Sequence, residues 1–272
     1  MDVYDTIPEI RSLISRETFV AVCEEILATY KDVPYHNREH ALDVMSNGVM
    51  YLRNTYLYTR LTSVEKLTFV LGLLGHDASH PGIGNKEEYT KIIALFPSGT
   101  KSCMEEFHYG LTCAILRKHH LPVNLHILHA IIGATDPFLS LEDVKKRFPE
   151  HLQDLAVIVR LADVNHVLSS FENHIHWSKR ITDEIGCMLT PQSQIHFIEN
   201  HILPLVEEAR LVFMTKGDKE TSFRASGFYS RIRTRFQANL DYWKQMLRTA
   251  METVAGSSCG DKMAGGVARG SS

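Results

Sequence analysis

The sequence has little of what marks several common functions. Its five cysteines are scattered, with no CxxC pair and an odd total, which argues against a disulfide framework and for reduced thiols in an intracellular compartment. No apolar run reaches the roughly 18 residues a membrane span requires, and the opening MDVYDTIPEI lacks the basic-then-apolar order of a secretion signal. The chain is therefore expected in the cytoplasm, by itself or as a cytosolic domain of a larger regulated protein. An excess of one charge is missing too. With 29 Lys and Arg against 32 Asp and Glu, nothing suggests nucleic-acid or membrane binding through bulk charge. No GxSxG occurs and no cysteine sits in an activating context, so a nucleophilic serine or cysteine mechanism finds no support. No run of alternating β-branched residues announces a sheet.

What remains is helical periodicity in one all-α domain. Helices are expected over 18–30, from the segment 35–40 to about 56, and from Ser63, as N-cap, through 77. Further helices are expected over 87–95, 101–118, 123–136, 151–170, 172–188, 194–211 and 226–251, with a polar loop over 215–225. There is no linker or internal repeat, so residues 1–252 read as a single compact multi-helix domain. The Gly/Ser-rich residues 253–272 read as a disordered tail.

The chemistry gathers around residues 71–85, LGLLGHDASHPGIGN, where an apolar run delivers His76 and Asp77 into a Pro/Gly turn. Burying a carboxylate beside an imidazole costs several kcal/mol unless something pairs it, and a divalent metal is a common partner. Helical spacing would place His80 one turn after His76, and His36 one turn before His40. Asp163 lies in the apolar segment 151–170 and also needs a partner. Two imidazoles, His40 and His76, with two carboxylates, Asp77 and Asp163, form a mixed N/O set suited to zinc or another first-row metal. A bridging carboxylate would let magnesium or manganese sit beside it. His36 would reach the same cavity without binding metal, the position a general acid needs.

These residues resemble the catalytic domain of the class I cyclic-nucleotide phosphodiesterases. YHNREH at 35–40 is similar to that family's YHNxxH signature, and GHDASHPGIGN at 75–85 to its HDxxHPGxxN. MEEFH at 104–108 resembles the helix supplying the family's active-site glutamate, and IIGATD at 131–136 its ATD segment. RLADVNH at 160–166 resembles its ADxSN ligand helix, and SQIHFIENHILPL at 193–205 its QxxFI segment. The resemblance spans residues 35–205 and implies an HD/phosphodiesterase-type fold with a binuclear metal site.

By that resemblance His40, His76, Asp77 and Asp163 hold zinc, and Asp77 also touches magnesium or manganese. A hydroxide between the ions attacks the phosphorus of cAMP or cGMP, giving the 5′-monophosphate. His36 protonates the departing 3′ oxygen and Glu105 orients His36 or metal-bound water, with Glu106 as the other candidate for the glutamate. His80, Asn85, His108 and Asp136 support the ligands. Tyr35, Gln194, His166 and His174 line the substrate pocket, where Gln194 bonds the purine edge. Phe197 and Ile181, which pattern alone would assign to core packing, clamp the ring. A homodimer is a further family-level expectation.

Three departures from the pattern matter. Phe107-His108 stands where paired histidines are usual, and His166 and His174 stand where the family has an asparagine and commonly a tyrosine. The segment between Trp177 and Gln194 is short, which predicts an open site. Two other readings stand beside the hydrolase: a degenerate domain that senses cyclic nucleotide without cleaving it, and a general HD-type nucleotide phosphohydrolase. The second would not need the YHN histidine or the QxxFI segment.

Overall fold

Every residue from Lys66 to Leu74 is buried, which marks a helix surrounded by protein on all sides. The computed structural model describes residues 3–214 and 219–260, and that helix stands at its centre. The chain begins with α1 (Val3–Thr6), a 3₁₀ turn, α2 (Arg16–Leu27), α3 (Arg38–Arg53) and the single turn α4 (Leu57–Arg60). The central helix is α5 (Ser63–Leu74), followed by α6 (Lys86–Ile93), α7 (Cys103–Lys118), α8 (Leu125–Gly133) and the short α9 (Leu141–Lys145). Then come α10 (Leu155–Asp163), α11 (Phe171–Ile185), α12 (Pro191–Phe197), α13 (Leu203–Met214) and α14 (Lys219–Gly260). No strand occurs among the described residues.

Thr62, not Ser63, caps α5. Its side chain accepts from the Glu65 amide while the Glu65 carboxylate accepts from the Thr62 amide, a reciprocal pair that Ser63 could not form. Helices α3 and α8 pack on α5, α10 packs on α3, and α13 covers α10. Leu67, Phe69, Val70, Leu71, Leu73 and Leu74 have no exposed surface. Each such side chain contributes about 1.5–3 kcal/mol, so α5 can carry the desolvation of the polar pair at its end.

Helix α14 presents Phe228, Ile232, Phe236 and Leu240 at four-residue spacing, with Trp243 beyond, and packs them against α12 and α13. Asn239 donates to the carbonyls of Val167 and Ser169 at 2.9 and 3.2 Å, fixing the 3₁₀ turn that follows α10. The polar loop expected over 215–225 is helical from Lys219 onward, and residues 215–218 lie outside the described residues. At the other end α14 continues to Gly260, so residues 253–260 are helical where composition predicts a disordered tail. Once a helix is nucleated by packing, each further residue adds a hydrogen bond, which offsets a few unfavourable Ser and Gly. The rest of the expected tail, 261–272, lies outside the described residues.

The ends of helices carry the chemistry. Helix α5 stops at Gly75, so His76 and Asp77 occupy the turn beyond it, and Asp163 is the last residue of α10. His36 precedes α3, whose N-cap is Asn37, and so does not lie on a helical turn with His40. The residues meet because Gly48 lets the helices approach. A Cβ there would stand 2.2 Å from Leu73 Cδ1 on α5 and 3.3 Å from Ala162 Cβ on α10. Gly48→Ala is expected to destabilise the fold by about 1–3 kcal/mol through overpacking, read as a lower midpoint of urea unfolding. An unchanged midpoint would show that the three helices can part without cost.

Candidate active site

His76 is fully buried, and its Nδ1–H donates to the Leu73 carbonyl at 2.8 Å. That bond fixes the tautomer and leaves a lone pair on Nε2. His76 Nε2 lies 3.0 Å from Asp77 Oδ2 and 3.5 Å from Asp163 Oδ1. His40 Nε2 lies 3.6 and 3.3 Å from the same two oxygens. Both Nε2 atoms are sealed from solvent, yet neither makes a hydrogen bond. Ligands about 2.0–2.2 Å from one tetrahedral ion sit roughly 3–3.5 Å apart; the four histidine-to-carboxylate separations are close to that, and His40, His76 and Asp77 offer ligand atoms that all lie within 4.8 Å of one another.

Electrostatics agree with this donor set. Burial alone would lower the His76 pKa, but the Asp77 and Asp163 carboxylates hold it well above the ordinary imidazole value. Burial would likewise raise Asp77, but His76 beside it holds the carboxyl well below its usual range, and His40 and His76 do the same for Asp163. Ionised carboxylates among buried nitrogens attract a cation. Tyr30 completes the turn: its hydroxyl donates to the Leu74 carbonyl at 2.7 Å and accepts from the Asp77 amide at 3.2 Å.

His36 sits beside this cluster and is organised by Glu184, which sequence reasoning missed. The Glu184 carboxylate meets His36 Nδ1 at 2.5 Å and accepts from the amides of Tyr35 at 2.7 Å, His36 at 3.0 Å and Ile83 at 3.0 Å. Burial would raise its pKa, but the His36 contact and the amides bring it down to about 2. The His36 imidazole is opposed by its own burial, yet the bond to Glu184 raises its pKa above the ordinary value. His80 stacks on His36 with ring centroids 4.0 Å apart. It does not sit one helical turn after His76, since Ser79 takes φ 62° and breaks the helix. Burial pushes His80 down to about 3, so an uncharged ring faces His36.

The cluster and His36 open on a cavity of about 1250 Å³. Glu105 lines it, its carboxyl raised to about 7 by burial and by Asp136. Asp136 is held by the Ser102 hydroxyl at 2.5 Å and the Phe138 amide at 2.8 Å. His108 donates from Nδ1 to the Ala78 carbonyl at 2.8 Å and turns Nε2 toward Asp77 Oδ1, 3.8 Å away. Tyr35, His166, Ile181, Gln194 and Phe197 line the remaining wall. The open mouth expected from the short segment is present: residues 186–190 join α11 to α12, and Ile185 and Met188 are exposed beside it.

Three further sequence expectations are corrected. Asn85 is exposed and caps α6, accepting from the Glu88 amide at 3.2 Å, and it does not line the cavity. His174 has no exposed surface and stands behind His166, too deep to touch a ligand. Glu106, the alternative to Glu105, pairs with His129 at 2.7 Å, and only Glu105 of the two lines the cavity.

Among the described residues no helix is long and apolar enough to cross a membrane. The chain is 24% identical over 173 residues to a cGMP-specific 3′,5′-cGMP phosphodiesterase 3 of Dictyostelium discoideum, a match covering 64% of this chain and 33% of the relative. It is 24% identical over 227 residues to a dual specificity calcium/calmodulin-dependent 3′,5′-cyclic nucleotide phosphodiesterase 1B of Bos taurus, covering 69% and 42%. The chain thus spans less than half the length of these relatives. Its fold matches the crystal structure of the phosphodiesterase domain of the RhoPDE fusion protein from the choanoflagellate Salpingoeca rosetta, with a TM-score of 0.70, 18% identity and coverage of 91% and 90%. The family described as 3′5′-cyclic nucleotide phosphodiesterase matches residues 35–188, more than half of the sequence, and this chain belongs to it.

Proposed function

We propose that this chain hydrolyses 3′,5′-cyclic nucleotides, cAMP or cGMP or both, to 5′-nucleoside monophosphates. One observation carries the reading. A cluster with the donor set and spacing for a cation, and a histidine buttressed by a carboxylate, open on the same cavity as a buried amide and apolar side chains. The relatives' names include a cGMP-specific and a dual-specificity enzyme, which supports the substrate class and leaves the base open.

His40, His76, Asp77 and Asp163 would hold zinc. Magnesium or manganese would sit on the Asp77 side, where a neutral His108 turns its lone pair toward a carboxylate oxygen, an arrangement a hydrated cation satisfies. When bound, such ions activate water near neutral pH and neutralise charge on the phosphoryl group. The chain's own groups would supply the rest. His36 keeps its Nδ1 proton on Glu184, so its Nε2 proton is the one available to the departing 3′ oxygen. Glu105, half ionised near neutrality, would exchange a proton with water on the opposite wall. Gln194 would bond the purine edge while Phe197 and Ile181 flank the ring.

Hydrolysis of cAMP and cGMP by metal-stripped protein, with zinc and magnesium or manganese restored, tests this reading. Turnover is expected only with metal, and Asp163→Asn is expected to reduce both bound zinc and activity. Full turnover after exhaustive chelation would refute the role given to the cluster. His36→Ala is expected to lower kcat about 10²–10⁴-fold, the range for general acid catalysis; a smaller loss would take the proton donor elsewhere.

The Glu184 bond also makes a pH prediction. A raised pKa keeps His36 protonated to higher pH, and the acid form is lost as pH rises through it. Glu184→Gln removes the negative charge, so the alkaline limb of the kcat/KM profile should move to lower pH. An unmoved limb would show that another group titrates there.

A further inference from the structure

A second cavity, of about 640 Å³, lies between α9, α10 and the start of α13. Such a volume suits a small molecule. Pro137 and Leu139 line this cavity and the active-site cavity alike, so one strip of chain forms a wall of both. A second strip joins them. Gln194 and Phe197 line the active-site cavity, while Asn200, His201 and Pro204 line the second one about a turn further along. Pro204 has no N–H to give the Asn200 carbonyl, and the chain there runs as a π turn over Ile198–Ile202.

Charge in the second cavity balances to within one group. Lys145 pairs with Glu208 at 2.6 Å and Lys146 with Glu142 at 3.2 Å, which leaves Arg160 as the cation in excess. The half-buried Arg160 donates from Nε to the Ala134 carbonyl at 2.9 Å, and from Nη2 to the carbonyls of Asp136 at 2.9 Å and Leu139 at 2.7 Å. Asp136 and Asp163 act on it only through space, and it makes no ion pair among the described residues. Carbonyls satisfy a guanidinium without neutralising it. Its Nη1 bonds no described residue, and the side-chain amide of Gln153, in the same wall, bonds none either. Leu139, Leu141 and Leu205 supply an apolar surface beside these two groups.

We propose that this cavity is an effector site for a small organic monocarboxylate, its head on Arg160 and Gln153 and its apolar body on the three leucines. A single negative charge matches the single excess cation, and a guanidinium suits a carboxylate. A phosphate dianion would bring a surplus charge toward Glu142 and Glu208. Occupancy reaches the catalytic cavity through Arg160. A carboxylate on Nη1 holds the guanidinium from its remaining side, and with it the strip 134–139 whose carbonyls it grips. Substrate then has less chain to order, so the effector lowers KM, and substrate tightens the effector in return. This coupling rests on the nucleotide reading above; the binding does not.

Sodium octanoate is the probe, with 1-octanol and octyl phosphate as controls. Titration calorimetry on metal-stripped protein, where no ion can take the carboxylate, should show one octanoate per chain, bound at least about tenfold more tightly than either control. Hydrogen exchange at residues 134–139 should slow when it binds. Arg160→Met should weaken octanoate at least about tenfold. Because Arg160 also grips three carbonyls, Glu208→Gln is the second variant: it frees Lys145 without touching Arg160, and should tighten octanoate severalfold. With zinc and magnesium restored, octanoate should lower the KM for cAMP or cGMP by about fivefold or more. No binding, binding no tighter than octanol, or affinity unmoved by both variants overturns the site. Binding with an unchanged KM overturns the effector role. Absence of turnover with or without octanoate overturns the hydrolase reading, and calorimetry with the two variants still decides the site.

Discussion

The Glu184 carboxylate is the contact on which the site's geometry depends. It accepts the amides of Tyr35 and His36 ahead of α3, accepts the Ile83 amide in the turn after Asp77, and bonds His36 Nδ1. Two segments far apart in sequence, 35–36 and the turn at 83, are tied to one side chain on α11. Gly84 marks how close they come, since a Cβ there would stand 2.6 Å from the Glu184 carbonyl oxygen. The same carboxylate sets both where His36 sits and how firmly it holds its proton, so structure and chemistry share one cause.

Charge at this density is tolerable because the backbone and helix termini are arranged around it. Asp77 lies just beyond α5 and Asp163 ends α10, two helices whose apolar side chains are buried nearly completely. The tautomer of four of these imidazoles is set by a carbonyl, a carboxylate or an amide: Leu73 for His76, Ala78 for His108, Glu184 for His36, Gly82 for His80. Histidines held this way present one defined nitrogen each. A flexible surface cluster of the same composition would lose that definition to side-chain entropy and water.

The parts legible in the sequence share one signal, a charged residue inside an apolar run. Asp77 and Asp163 could be found that way because burial forces a partner on them, and His40 and His76 followed from spacing. Glu184 carries the same signal in weaker form. It lies on the face of His174, Trp177 and Ile181, at helical spacing, but the adjacent Asp183 masks it in a polar segment. Its partners are about 150 residues away, beyond any local pattern. Asn85 differs for the opposite reason: an Asn followed three residues later by Glu88 is a helix-capping arrangement, and here the cap outweighs the motif. His174 stands one layer deeper than its motif position implies, because a sequence shows which residue types share a helix face but not which stands behind which. The positions of Trp243 and Tyr30 depend on tertiary packing alone.

The short crossing at residues 186–190 bears on the design of chemical probes. Ile185 is 46% exposed and Met188 82% exposed beside the mouth, while Gln194 and His166 are each 7% exposed at the wall. A small molecule bound there would be gripped from its inner side and covered little from outside. Its residence time would then be set by the deep contacts, and potency gained by reaching outward would be spent on solvent-facing surface. Selectivity would belong at the inner wall, where the polar groups are buried.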